Sequence, residues 1–509
     1  MALPFAALPV YLSLPHPPAC REKQMKFLPS LTITLFACTS VHAPLAAQGF
    51  TDRTYYSEEL RADLELLRTT VHEAHADPYR YIGRTDLDRL FDRVRDNLNG
   101  SLELTTFMDS IEQVLRALGD GHTRCELPRD AHAAMERHSA IFPLEVAIID
   151  SALYVRSERM GTHNIPSGTR IVSINGMPAA TVLKALLGGM HADGRSVSAP
   201  IRTVERDFAW LYALRYGTRA EHDLVCENEH GVLERIAVRA LTGEEIATAV
   251  PDRPSLLPWR TTYHGDHSLA WVEMTTLDAQ VLASADQRPE RFLGDLLRDL
   301  ENKEVSTLVL DLRGADGPDL GMAEQVFALV ARKPFRVVQL MAVRSVTVPT
   351  WYRRAVPLDD FYASAGGRFA AEETGLFVLP PSDERMKELP AAHRRFEGTV
   401  YVLQDGLTQE AGAAVGILVK RSGRGMLLGE EGGTNALSFC GGRELRITAP
   451  NTGVQFTVPL IRYLFEGALT GLPDTGEQPD VRVVPSAHGL TTGEDTVRSQ
   501  VLSIIDALR

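Results

Sequence analysis

The sequence predicts an α/β protein of several domains: a helical N-terminal part, a β-rich insert and an α/β core. Three observations lead there. Apolar residues recur at helical spacing through residues 56–120. Short β runs bounded by turn residues fill 140–245. Beyond about residue 262, apolar strands alternate with helices, which implies crossover connections and a largely parallel, covered sheet.

The helical part is read from Leu60, Leu64, Leu67 and Val71, then Leu87, Leu90, Phe91, Val94 and Leu98, then Phe107, Ile111, Val114 and Leu118. Each set lies on one helix face with charged residues between. The third helix runs out into Leu118-Gly-Asp-Gly-His-Thr-Arg-Cys125, which holds His122 in a glycine-flanked turn. Phe142–Ile149, Leu153–Val155 and Ile171–Ile174 are the β runs of the insert. Three prolines between Pro251 and Pro258 mark a linker. In the core, Leu269–Met274 and Ser306–Arg313 are strands, and Phe292–Leu300 and Met322–Val330 are helices. A strand from Gly398 then turns into a helix of small and apolar residues starting near Glu410. A helix N-terminus leaves free N–H groups and a positive dipole end at that corner. The boundaries are a targeting segment 1–47, a helical domain 48–137, a β domain 138–250, a linker 251–261 and a core 262–509.

The chain of 509 residues has 66 acidic against 53 basic residues and a net charge of -13. That argues against nucleic acid or an anionic membrane as a partner. Residues 1–47 read as a targeting segment. Met25-Lys26 precede a short apolar run, Phe27–Ala37, with small-residue cleavage candidates at Ala43 and Ala47. Met25 is the better start. A second reading is a lipoprotein signal with a lipid anchor on Cys38. No later run approaches the roughly 20 apolar residues of a membrane span. The expected product is exported, periplasmic or extracellular, with no transmembrane span. Cys125, Cys226 and Cys440 remain in it, and no spacing suggests a metal site or a cofactor.

Five strings occur together in order: Leu118-Gly-Asp-Gly-His-Thr123, Leu308-Val-Leu-Asp-Leu-Arg-Gly314, Thr408-Gln-Glu-Ala-Gly412, Leu428-Gly-Glu-Glu-Gly-Gly433 and Gly476-Glu-Gln-Pro-Asp-Val481. In this the chain resembles the tail-specific (C-terminal processing) serine peptidases, most nearly their tricorn-core and retinoid-binding-repeat branch. Ile165–Pro178 resembles a stretch of PDZ-like modules, without a convincing carboxylate-binding loop, so a structural insert is expected. The resemblance implies a ClpP/crotonase-like α/β core, a polypeptide or extended peptide ligand, and serine-type proteolysis.

The resemblance also assigns positions. His122 stands where the family has its general base, and Glu410 where it has the nucleophilic serine. Oxyanion donors are expected near the corner and in the turn after Gly314, which gives Gly314, Gly317 and Ala411. That turn reads Ala315-Asp316-Gly317-Pro318, where the family shows asparagine and a glycine run. The late acidic residue of some relatives falls at about Pro473, with Asp474 adjacent. Nucleophile, oxyanion turn and acid have all drifted. A carboxylate cannot serve as serine does in acyl transfer, and it puts negative charge where the transition state builds it. The expectation is a peptide-binding protein with weak or absent catalysis. The alternative is a hydrolase using His122 with water activated by Glu410, or with Cys440 as nucleophile. Glu410 could also simply stabilise its helix. Cys125 and Cys440 flank strings that converge in the family, and are either bridged across the cleft or two buried thiols.

Overall fold

The computed structural model describes residues 53–508 apart from 161–162, 229, 250–256, 266–267, 350–358 and 468–473. Residues 1–47, expected to be a targeting segment, with Met25, Cys38 and both cleavage candidates, lie outside the described residues.

The head begins with β1 (Thr54–Tyr56), then α1 (Ser57–Glu73), α2 (Arg84–Asn97), β2 (Ser101–Glu103) and α3 (Leu104–Leu118). The periodic apolar residues are the buried ones, among them Leu60, Leu64, Leu67, Phe91, Phe107 and Ile111. Gly119 ends α3 in the left-handed region (φ 61°). A side chain there would also strike the Tyr81 ring. The chain therefore breaks sharply into the His122 turn. β3 (Arg124–Glu126) and α4 (Arg129–His138) follow. β3 leaves the head to pair with a strand of the core, through Phe456↔Cys125.

The insert contains β4 (Leu144–Ile149), β5 (Ala152–Glu158), β6 (Arg170–Ile174), β7 (Met177–Pro178), α5 (Ala179–Gly189), α6 (Ser198–Tyr216), β8 (Glu221–Glu227), β9 (Leu233–Arg239) and α7 (Gly243–Ala249). Its sheet is antiparallel, in the order β4-β5-β6-β8-β9, with β7 on β6. The strand reading of 140–245 is corrected here by α5 and by the 19-residue α6. The apolar face of α6, with Val204, Phe208 and Tyr212, is buried. Edge strand β4 is partly closed by α6, because the Glu205 carboxylate accepts the Ile148 N–H.

The core comprises β10 (Trp259–His264), β11 (Leu269–Met274), α8 (Ala279–Ser284), α9 (Pro289–Asn302), β12 (Thr307–Asp311), α10 (Leu320–Ala328), β13 (Val338–Val343), α11 (Asp359–Arg368), β14 (Ala370–Ala371), β15 (Phe377–Val378), β16 (Thr399–Gln404), α12 (Ala411–Arg421), β17 (Met426–Gly429), β18 (Ser438–Thr448), β19 (Gln455–Phe465), β20 (Val481–Arg482), α13 (Ala487–Thr492) and α14 (Thr496–Ala507). Trp259–Thr261, expected at the end of the linker, already belong to β10.

The first core sheet has the order β10-β11-β12-β16-β17-β20. β10 is antiparallel to β11, and every other pair is parallel. Every residue of β12 is buried, as a strand covered on both faces requires. Leu308 and Leu310 face the main apolar core, and Val309 faces a smaller one formed with Val497, Val501 and Ile505 of α14. The second sheet, β14-β15-β13-β19-β18 with β3 on β19, was not anticipated. One continuous apolar core runs through head, insert and core. That joins β3, the His122 turn and the corner at Glu410.

Candidate active site

Three pieces of chain meet at the site. The turn after α3 brings Asp120 and His122, the corner between β16 and α12 brings Glu410, and the loop between α5 and α6 brings Asp193. The corner is held from below. Thr408 Oγ1 donates to the Leu312 carbonyl at 2.7 Å, and the Gln409 N–H to the Ala315 carbonyl at 2.9 Å. α12 can press against the 312–317 turn because it opens with Ala411, Gly412, Ala413 and Ala414; a side chain on Gly412 would collide with the Ala315 carbonyl.

Glu410 stands at this corner with φ 44° and ψ −111°. A non-glycine residue in that region costs about 1–3 kcal/mol, and persists because its surroundings hold it there. Its N–H donates to Thr434 Oγ1 at 2.8 Å. Its side chain does not cap α12. Oε1 accepts the Gly442 N–H at 3.1 Å and lies 3.2 Å from His122 Nε2. Glu410 and His122 are 8% and 9% exposed, so this contact is shielded from water.

The other side of His122 faces two more carboxylates. Its Nδ1 is 3.7 Å from Asp120 Oδ1 and 3.7 Å from Asp193 Oδ1. Neither distance is a hydrogen bond, and Nδ1 is buried without a hydrogen-bond partner. Burial alone would depress the His122 pKa. Asp193, Asp120 and Glu410 together outweigh it and hold the imidazole well above its ordinary range. Burial would likewise raise the Glu410 carboxyl; contact with His122 and the Gly442 N–H reverses that and holds it low. A histidine that keeps its proton is a poor general base.

Asp120 is itself buried and accepts from the His122 N–H at 3.0 Å, from Thr123 Oγ1, and from His75 Nε2 at 2.8 Å. His75 Nδ1 accepts the Asp77 N–H, so the ring proton of His75 points at Asp120. Asp193 accepts the Gly121 N–H at 2.8 Å. Its loop is pinned by Gly194 N–H to the Gly119 carbonyl (2.9 Å) and Arg195 N–H to the Asp474 carbonyl (2.7 Å).

Asp474 is thus one layer away from His122. Its Oδ1 accepts from Arg80 (3.1 Å), Tyr81 (2.9 Å) and Asn435 (2.8 Å), which ties the head to the core. Pro473 lies outside the described residues. The carboxylates at Nδ1 are Asp120, quoted in its string but given no role, and Asp193, which the sequence reading missed. Asp193 is followed by Gly194 (φ 67°), yet its loop sits in the insert, 71 positions from His122, and carried no local signal.

The expected oxyanion donors are largely engaged. The Ala411 N–H donates to the Gly317 carbonyl at 3.1 Å, and the Gly314 N–H to Asp405 Oδ1 at 2.9 Å. Gly317 packs against the Leu277 backbone with no room for a side chain. Pro318 has no N–H to offer. Asp316 is raised above the usual carboxylate range by burial and by the Glu410 charge.

Cys125, Cys226 and Cys440 are free thiols, so of the two readings of Cys125 and Cys440 the unbridged one is found, with Cys440 buried and Cys125 half-buried. Burial, with the Asp120, Asp77 and Asp193 charges added, pushes the Cys440 thiol well above its ordinary value. A thiol held neutral in this way is poorly suited to nucleophilic attack.

A cavity of about 520 Å³ opens beside the corner rather than over it. It lies where the parallel strands end, at Thr275, Asp311, Gln404 and Glu430, and is roofed by Leu144, Val146 and Phe208 of the insert. Among the described residues no helix is long and apolar enough to cross a membrane.

Residues 270–483 match the model of peptidase family S41. The chain is similar to the structure of mature CPAF complexed with lactacystin, at 13% identity over 89% of this chain and 99% of that one, with a TM-score of 0.64. It is also similar to a serine-to-alanine mutant of CPAF, at 13% identity over 88% and 98%, TM-score 0.66. Mature CPAF gives 14% identity over 89% and 98%, TM-score 0.60. No curated protein sequence matches the chain. The architecture is that of a tail-specific-protease α/β protein.

Proposed function

We propose that this chain is an exported peptide-binding protein of the S41 peptidase fold that does not hydrolyse what it binds. The observation that carries this reading is the buried contact between Glu410 and His122. Acyl transfer needs a nucleophile that a base can deprotonate and donors aimed at the developing oxyanion. Glu410 brings a carboxylate whose attack would give a high-energy mixed anhydride. His122 holds its proton between Glu410, Asp120 and Asp193. The Ala411 N–H is already bound to Gly317. Loss of one oxyanion donor alone costs about 10²–10³ in rate.

The match of 270–483 to a peptidase family supports a polypeptide as the ligand class. The cavity at the strand ends is its proposed seat. Its lining mixes apolar Leu144, Val146 and Phe208 with Arg260, Glu273 and Arg313, which suits an extended segment of both apolar and charged residues. Export through residues 1–47, the domain boundaries given above and the tricorn-like branch belong to the same proposal.

The test is saturable binding of fluorescently labelled casein peptides to the purified chain, with mass spectrometry of the same samples. The reading expects binding with the peptides recovered intact. Peptides that do not bind, or that are recovered cleaved, overturn it.

A further inference from the structure

The turn at His122 contains more negative than positive charge. Asp120, Asp193 and Glu410 surround a single imidazole ring. The geometry around Nδ1 is also unlike that of a hydrogen bond. Two carboxylate oxygens stand 3.7 Å from a nitrogen that is buried and has no partner. The three atoms lie within 4.8 Å of one another. Donors about 2.0–2.1 Å from a zinc ion, at tetrahedral to trigonal angles, are about 3.4–3.6 Å apart.

We propose that His122 Nδ1, Asp120 Oδ1 and Asp193 Oδ1 form a binding site for a divalent transition-metal ion of the zinc class. One imidazole and two carboxylate donors suit that class. The surrounding contacts orient each donor. Asp193 Oδ1 is fixed by the Gly121 N–H, and Asp120 Oδ1 by the His122 N–H. His75 and Thr123 hold the other oxygen of Asp120. The ion displaces the Nδ1 proton that the metal-free ring carries, and the remaining ring proton sits on Nε2, 3.2 Å from Glu410 Oε1. A carboxylate behind a metal-bound histidine is the usual supporting arrangement, and fixes the tautomer. Glu410 then has a positioning role through the imidazole. Nothing in this depends on peptide binding.

The test uses the purified full chain, stripped with a chelator, dialysed and titrated with zinc chloride by calorimetry. One zinc ion per chain is expected, with a rise in melting temperature. His122→Ala and Asp193→Asn should abolish that binding, and Glu410→Gln should weaken it by about 10–100-fold. X-ray absorption on the zinc-loaded wild type gives an answer even if a variant fails to fold. It should show nitrogen and oxygen donors only. No binding, unchanged affinity in both ligand variants, or a sulfur donor from Cys440 or another cysteine overturns the proposal.

Discussion

Replacing Glu410 by glutamine keeps the side chain's shape and removes its charge. The amide oxygen can still accept the Gly442 N–H, so the loss falls on the 3.2 Å contact with His122. A hydrogen bond to a charged partner is worth about 1.5–3 kcal/mol. Removing one partner of an isolated buried ion pair costs about 3–5 kcal/mol. Here Asp120 and Asp193 remain beside the ring, so the lower range applies and Glu410→Gln should cost about 2 kcal/mol. The sign with pH follows from both groups. His122 is raised, so its contribution is complete below the unfolded value of 6.5 and is lost as pH rises through the folded value. Glu410 is lowered, so its contribution is complete above 4.5 and is lost as pH falls through the folded value. The difference between wild type and variant is therefore greatest between pH 4.5 and 6.5 and shrinks at higher pH. Denaturant melts of both proteins in chelator, across pH 5 to 9, measure it. A variant as stable as wild type at pH 6, or a difference that grows with pH, refutes the reasoning.

Asp120→Asn removes a buried charge that His75, Thr123 and the His122 N–H all address, and should destabilise the chain by about 3–5 kcal/mol in the same melts. Gly412→Ala drives a methyl group into the Ala315 carbonyl and should lower the melting temperature, whereas Gly176→Ala, where nothing stands within 4 Å, should cost only its turn strain. Cys440 should resist alkylation by iodoacetamide at pH 7 in the folded protein and react once it is unfolded, as peptide mapping would record. Glu410→Ser should take up a serine-directed acylating probe slowly at best, because the Ala411 N–H remains bound to Gly317.

The three head helices were legible because their buried residues repeat at 3.6-residue spacing. β12 was legible from the apolar run Leu308-Val309-Leu310 at its centre. α6 was not, because the strand signals on either side of it were followed across its 19 residues, although Val204, Phe208 and Tyr212 repeat at helical spacing. β18 and β19 form a hairpin, but β13 pairs with β19 through residues 118 to 127 positions apart, and no local pattern encodes that pairing. At the site, the sequence located His122 and Glu410 by the strings around them, and the structure puts them in contact. Asp193 was out of reach, since it meets His122 only through the Gly194 turn and the Asp474 network that anchors it. The Glu410 side chain makes no cap bond to its helix and is turned toward His122 and Gly442, a placement its helix-terminal position alone did not suggest.

The central claim is that a carboxylate at the corner, paired with a protonated His122, leaves this fold without peptidase chemistry. Peptide release from casein, with purified wild type beside His122→Ala, tests it most directly. The account predicts the same background release from both proteins. Release by wild type that disappears in His122→Ala would contradict it.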